Sequence, residues 1–178
     1  SDIVTFWGEM GSSNLVLKAL GGGGGRGMRV IRPGDDYEEA LRQARSEALA
    51  SFGDDRVFLE IYLSNARHIE IQIAGDQTGE VLHFWERDCS VQRRHQKLIE
   101  IAPAPNLSDD LRQSMIQSAI TLAKEVKYRG LGTIEFLVDL DNDSHFFMEA
   151  NARLQVEHTV TEELLGIDLV ALQLKLAM

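Results

Sequence analysis

The sequence predicts an α+β fold: a small lobe built around a glycine loop, then an antiparallel sheet with flanking helices. Three observations predict it. Five consecutive glycines, Gly21 to Gly25, stand between two short apolar segments, and a helical pattern follows. From Arg67 the pattern changes to clean alternation, with Ile69, Ile71 and Ile73 on one face. From Ser108, and again from Thr159, the period becomes that of a helix.

A chain of 178 residues suffices for one ordinary domain or two small lobes, and 44% apolar residues suffice for a real core. A formal net charge of −10 argues against a nucleic-acid surface, which wants a basic field. A nucleotide site needs only a few local cations and stays open. The single cysteine, Cys89, excludes an internal disulfide and fits a reducing compartment. It reads as a small buried hydrophobe rather than a nucleophile. No apolar run approaches the ~20 residues of a membrane span, so no membrane is expected. No leader and no initiating Met open the chain, and its last helical segment ends without a stop signal. The sequence therefore predicts a piece of something longer.

Residues Ser1 to Asn14 carry little pattern. Leu15 to Ala19 is a short strand carrying Lys18, and Arg26 to Ile31 is a second one. The glycines between them read as a flexible linker or as a loop covering phosphates. Two short strands with a tight return favour the second reading, since glycine lets backbone N–H groups approach an anion closely. This is not a P-loop: no Gly-Lys-Ser/Thr closes it. Asp35 and Asp36 open a helix whose apolar stripe is Tyr37, Ala40, Leu41, Ala44, Ala48, Leu49 and Phe52, and Gly53 ends it. Val57 to Leu63 is a strand leaving the lobe, a hinge whose backbone N–H and C=O groups match the edge of adenine.

Arg67 to Ile73 and Val81 to Arg87 form antiparallel strands around a turn at Asp76 to Gly79. Asp88 to Lys97 then gathers Arg93, Arg94, His95 and Lys97. Such a run is either a solvated basic face or, in so acidic a chain, a place for phosphate or carbonate. Pro103 and Pro105 break the pattern. Ser108 caps the next helix, with Asp109 and Asp110 on the positive end of its dipole. Leu111, Met115, Ala119, Leu122, Ala123 and Val126 form its stripe, Lys124, Lys127 and Arg129 crowd its end, and Gly130 closes it.

Gly132 to Asp139 is a strand, Asp141 to Asp143 a turn, and His145 to His158 a strand running out into a loop. Glu149, Asn151, Arg153, Gln155 and Glu157 occupy alternate positions, which share one face in an extended chain. That row suits a metal and an anion held together. A turn centred on Asn142 pairs Glu135 with Glu149, with Cβ atoms roughly 5 Å apart. Two opposed carboxylates repel. A divalent cation between them, with Asn151 as a further oxygen ligand, resolves this. So does a register off by one that leaves both solvated, or a shared proton. Thr159 to Leu165 and Asp168 to Met178 read as helices around Gly166, with Thr159 or Thr161 as cap, supporting the loop before them.

Together these motifs closely resemble the biotin carboxylase component of biotin-dependent carboxylases, an ATP-grasp fold. The resemblance rests on Lys18-Ala19 with Gly21 to Arg29, on Glu86 to Ser90 with Gln92 to Lys97, and on Asn151 to Glu162. It covers Leu15 to Met178. It implies residues 1–62 as the lid subdomain, with 1–14 unassigned, and 63–178 as the start of the following subdomain. It implies that Lys18 and the loop at Gly23, Gly24 and Gly25 contact ATP phosphates, and that Glu60 and Leu63 meet adenine beside Met28 and Leu137. His68, Gln92 and His95 would lie by ribose and phosphates. Glu135, Glu149 and Asn151 would hold Mg²⁺ or Mn²⁺. Lys97, Arg153, Gln155 and Val156 would form the bicarbonate and biotin site, with Lys97 and Arg153 catalytic and Glu157 the general base.

The implied chemistry is MgATP-dependent activation of bicarbonate to carboxyphosphate, then carboxylation of biotin on a carrier domain. The implied partners are that biotin carboxyl carrier domain and a carboxyltransferase domain or subunit, in a homo-oligomeric full enzyme of the cytoplasm or mitochondrial matrix. Ile61 departs from the basic or aromatic residue frequent beside the hinge, and the turn at Asn142 looks long. The N-terminal subdomain, with its ATP-contacting lysine, and a later arginine are expected outside this stretch, so the fragment alone is expected to be weak or inactive. Thr159 after His158 points toward pyruvate-type or fused long-chain enzymes. Two other readings remain: a carbamoyl-phosphate-forming ATP-grasp ligase, and a non-catalytic ATP-binding module. The stretch Arg153 to His158 speaks against the first, and intact Glu135, Glu149, Lys97, Arg153 and Glu157 against the second.

Overall fold

The computed structural model describes residues 14–22, 26–94 and 96–178. They fall into two compact units. One runs to Ser64 and takes in Arg94 and Gln96; the other comprises Asn65–Arg93 and Lys97–Met178.

In the first unit β1 (Leu15–Ala19) lies between β2 (Met28–Ile31) and β3 (Val57–Ile61), both antiparallel to it. Helix α1 (Tyr37–Phe52) covers one face. Leu17, Ile31 and Ala44 form its core with Ala40, Leu41, Val57 and Leu59. Asp36 is the cap, accepting from Glu39 N at 3.0 Å. Gly53 closes the helix at φ 74°, a conformation that costs a residue with a Cβ. Leu49, expected in the buried stripe, is 56% exposed. The hinge strand ends at Ile61, two residues before its predicted end.

The second unit is a five-stranded antiparallel sheet of order β6-β5-β4-β7-β8. Its strands are β4 (Ala66–Gly75), β5 (Val81–Arg93), β6 (Gln96–Ile101), β7 (Gly130–Asp139) and β8 (Ser144–Asn151). Strand β5 runs well past Arg87, its predicted end, to Arg93, and β6 pairs beside it. Helix α2 (Asp109–Glu125) packs Leu111, Met115, Ile116, Ala119 and Ala123 onto Ile69, Ile71, Ile73, Ile134, Phe136 and Val138. Ser108 caps it as expected, accepting from Leu111 N at 3.2 Å. The helix stops at Glu125 and the chain turns at Lys127, at φ 51°; Gly130, also at positive φ, opens β7 instead of closing the helix. Val126 is therefore outside the stripe and 63% exposed. On the other sheet face, α4 (Leu169–Ala177) covers Ala74 and Leu131 with Leu169, while α3 (His158–Leu165) follows the loop after β8. Among the described residues no helix is long and apolar enough to cross a membrane.

Candidate active site

The strand registers build a row of charges on the sheet face away from α2. Arg87 of β5 lies opposite Glu70 of β4, Glu70 opposite Glu135 of β7, and Glu135 opposite Glu149 of β8. Three carboxylates side by side on neighbouring strands repel, so the row requires cations. Arg87 Nε donates to Glu70 Oε1 at 2.5 Å. Lys97, from β6, donates from Nζ to Glu70 at 2.6 Å, to Glu135 at 3.2 Å and to Glu157 at 2.6 Å. At the far end the Asn151 amide donates to Glu135 at 2.7 Å and to Glu149 at 3.1 Å.

Glu135 thus faces Glu149, but by a different route from the expected one. Near the turn, Asp139 pairs with Ser144 and Phe136 with Phe147, a register that would bring Met148 opposite Glu135. A bulge at Met148 shifts the ladder by one residue and substitutes Glu149. It also reverses the faces. His145 points to α2, where its Nε2 lies 3.0 Å from Ser118 Oγ, whereas Glu149 and Asn151, also odd-numbered, point to the carboxylates.

The alternating row does not persist beyond Asn151, where the strand ends. The loop turns instead and carries Gln155 and Glu157 inward, both buried. Gln155 Nε2 donates to Thr133 Oγ1 and to Glu135 Oε1, each at 2.7 Å. Arg153 stays exposed, its Nη1 3.4 Å from the Leu154 carbonyl, and Val156 is 88% exposed. The structure therefore brings Lys97, Glu135, Glu149, Asn151, Gln155 and Glu157 together, with Arg153 and Val156 on the outer side of the same loop. His68 joins them: Nε2 contacts Glu135 Oε2, and Nδ1 lies 2.7 Å from Gln92 Nε2. Leu137 is the cross-strand neighbour of His68.

The charges set one another's protonation. Burial pushes the Glu135 carboxyl up, but the hydrogen bond from His68, the Lys97 charge and the hydrogen bond from Gln155 together hold it down at about 2. For Lys97, burial pulls downward and is outweighed by the Glu70 charge and by hydrogen bonds to Glu157 and Glu70, so the ammonium persists above its ordinary range. For Glu157, burial pushes upward and is outweighed by the Lys97 hydrogen bond, a backbone hydrogen bond and the charges of Lys97 and Arg87, so it is an ionised, weakly basic carboxylate.

Sequence reasoning gave no part in the site to four buried residues, Glu70, Gln72, Arg87 and Thr161. The alternation at Ile69 to Ile73 reads as one apolar and one wet face, yet Glu70 and Gln72 are as buried as the isoleucines. The available signal was the pairing of Glu70 with an arginine on the returning strand. Neither Thr159 nor Thr161 caps α3. Glu157 occupies that position without a side-chain cap bond, and the Thr161 hydroxyl accepts from Arg87 Nη1 at 2.7 Å.

In the first unit, Lys18 is ion-paired with Glu60 across β1 and β3, and Met28 lies opposite Lys18 on β2. Leu63 follows the end of β3, which among the described residues is an edge strand. Gly23, Gly24, Gly25 and His95 lie outside the described residues.

Oxygens of Glu70 and Glu157 and the sulfur of Cys89 lie within 4.8 Å of one another, a spacing that suits a metal. The Lys97 ammonium already bridges the two carboxylates, and burial, then the Glu70 charge, pushes the thiol far up, so this is no metal site. Among the described residues, the carboxylate of this row without an ion-pair partner is Glu149, at its far end. There the Asn151 amide, turned about its last bond, would offer Oδ1 beside two carboxylates, an oxygen set suited to Mg²⁺. A separate cavity of about 130 Å³ opens on the helix side, walled by Ile73, Leu122, Val126, Tyr128 and Ala150. Its apolar wall suits no anion.

A family model described as "Carbamoyl-phosphate synthase L chain, ATP binding domain" matches residues 6–178. The chain belongs to this family. It is 56% identical over 163 residues to pyruvate carboxylase from Schizosaccharomyces pombe, covering 92% of this chain and 14% of that protein. The biotin carboxylase–β,γ-ATP complex from Campylobacter jejuni matches with TM-score 0.88 and 50% identity, over 96% of this chain and 38% of that one. The Hydrogenobacter thermophilus 2-oxoglutarate carboxylase biotin carboxylase domain dimer, with MgADP, ADP and bicarbonate, matches with TM-score 0.88 and 41% identity, over 99% and 38%. The chain has the α+β, ATP-grasp fold of the matching segment of these biotin carboxylase domains, and it spans well under half of the relatives it matches.

Proposed function

We propose that this segment carries the biotin-carboxylation half-reaction of a larger carboxylase: MgATP-dependent activation of bicarbonate to carboxyphosphate, then carboxylation of biotin on a carrier domain. The observation that supports it best is the Lys97 ammonium held by Glu70, Glu135 and Glu157 at once. That fixes one permanent cation beside an ionised base and a row of surplus carboxylates. Glu157 takes the bicarbonate proton. A carboxylate so stabilised is a weak base, and proximity with water exclusion compensates. Lys97 orients Glu157 and offers its charge to the anion. Arg153, exposed and among the described residues without a carboxylate partner, receives bicarbonate or the biotin ring by charge, and Gln155 and the Val156 backbone border that place.

Glu135, Glu149 and Asn151 would hold Mg²⁺ or Mn²⁺, which would supply positive charge to the transferred phosphoryl group. Lys18, the glycine loop at Gly23 to Gly25, Met28, Glu60, Leu63, His68, Gln92, His95 and Leu137 serve ATP. Residues 1–62 act as lid and 63–178 begin the following subdomain. A carrier domain, a carboxyltransferase and further copies of the protein complete the enzyme, in the cytoplasm or mitochondrial matrix. The amine-acceptor reading draws only on the family's description; the relatives of 41–56% identity are carboxylases.

The test is ATP cleavage by a carboxylase bearing this segment, with bicarbonate and free biotin. Cleavage should depend on bicarbonate, rise with biotin and fall about 10²-fold in Glu157→Gln. In parallel, Mg²⁺ should enlarge the thermal shift given by ATP in the parent and not in Glu149→Gln. Bicarbonate-independent cleavage would refute the reading, and a thermal shift indifferent to Mg²⁺ would remove the metal assignment.

A further inference from the structure

We propose that Arg87 and Thr161 form a buried clamp that positions Lys97 and Glu157 for the carboxylation chemistry. This rests on the function proposed above. Arg87 is fully buried and spends its fork on three partners: Nε on Glu70 Oε1 at 2.5 Å, and Nη1 on Gln72 Oε1 at 3.0 Å and Thr161 Oγ1 at 2.7 Å. Two of these contacts lead to the reacting groups. The second oxygen of Glu70 holds Lys97 at 2.6 Å, and Lys97 holds Glu157 at 2.6 Å. Thr161 lies four residues after Glu157, one turn along α3, on the same side of the helix.

The contacts therefore close a ring: Arg87, Glu70, Lys97, Glu157, the first turn of α3, Thr161 and back to Arg87. It ties β5, β4, β6 and α3 together within the second unit. Glu157 makes no cap bond to the first turn of α3. The ring fixes it from two sides, through Lys97 and through the helix backbone.

The backbone before Arg87 is shaped to deliver it. Trp85 sits at φ 63°, a left-handed conformation rare for a residue with a large side chain. The β4–β5 register shifts between Ile71 and Ile73 at the same place. After this bulge Glu86 turns toward α2, where it accepts from Arg112 Nε at 2.9 Å, and Arg87 turns to the carboxylate row. A buried ion pair is weak evidence for stability, since apolar residues of similar volume often serve as well. An arginine placed at a bulge and bonded to the supports of both Lys97 and Glu157 is better accounted for as a positioning residue.

The decisive variants change the hydroxyl and the fork without changing volume or charge. In a carboxylase bearing this segment, Thr161→Val removes only the acceptor; bicarbonate-dependent ATP cleavage should lose about tenfold in kcat with KM for MgATP kept within about twofold. Thr161→Ser restores the hydroxyl and should restore kcat to within about twofold of the parent. Arg87→Lys keeps the charge and not the fork, and should behave like Thr161→Val. If Arg87→Lys does not fold, the threonine pair decides alone. Parental kcat in Thr161→Val overturns the proposal, as does an equal loss in Thr161→Ser. A kcat loss matched by a rising KM for MgATP also overturns it, marking general loosening. An inactive parent overturns the functional reading and this inference with it, whereas an active parent with unmoved variants overturns the inference alone.

Discussion

The two faces of the five-stranded sheet are made from the same strands and are held by different physics. Toward α2, Ile69, Ile71, Ile73, Ile134, Phe136 and Val138 meet Met115, Ile116 and Ala119, and the contact is area without direction. On the opposite face, one residue along in each strand, Glu70, Gln72, Thr133 and Glu135 are equally buried and are held by named donors at set distances. The isoleucine face tolerates changes that conserve volume. The carboxylate face tolerates them poorly, because an isosteric change leaves a neighbour unpaired. Burial alone therefore does not distinguish scaffold from site in this unit; the kind of bond does.

Glu70→Gln tests the contrast most severely. The change is nearly isosteric, yet it strips the charge from beneath Arg87 and Lys97, and urea unfolding should show a loss of roughly 3–5 kcal/mol, as for a broken buried pair. Ile71→Val, one residue away on the other face, removes a methylene and should cost roughly 0.5–1.5 kcal/mol. If Glu70→Gln costs no more than Ile71→Val, the two faces are alike and the contrast fails. Acid sharpens it further, with the smallest effect at any single pH. The Glu135 carboxyl is held at about 2 against an ordinary 4.5, so its stabilisation is present above pH 4.5 and is lost as pH falls toward 2. The deficit of Glu135→Gln should therefore shrink below pH 4.5, while that of Ile71→Val stays constant; stability measured from pH 7 down toward pH 2 separates them.

The apolar face was legible in the sequence because periodicity reports burial. Strand β1, the caps at Asp36 and Ser108, and the stripe from Leu111 to Ala123 all follow from local rules. The carboxylate face was legible only in part. Glu135, Glu149 and Asn151 could be placed by counting across a turn, although the count succeeded through the Met148 bulge rather than through the turn's centre. Glu70 and Arg87 escaped because alternation conventionally assigns charged residues to water, and their burial depends on partners seventeen residues apart. The role of Thr161 was out of reach, since the same residue type at a helix start is first a cap, and its actual partner is seventy-four residues away.

The Met148 bulge has a consequence for how β8 can vary. Before it, odd-numbered residues face the helix; after it, odd-numbered residues face the carboxylates. The strand is thus two segments of opposite parity joined at one residue. Events on the turn side, such as a longer loop or a sliding pair, can be absorbed at the joint, so the half bearing Glu149 and Asn151 keeps its phase. The hairpin is free to drift in length where it meets solvent and remains locked where it meets Glu135.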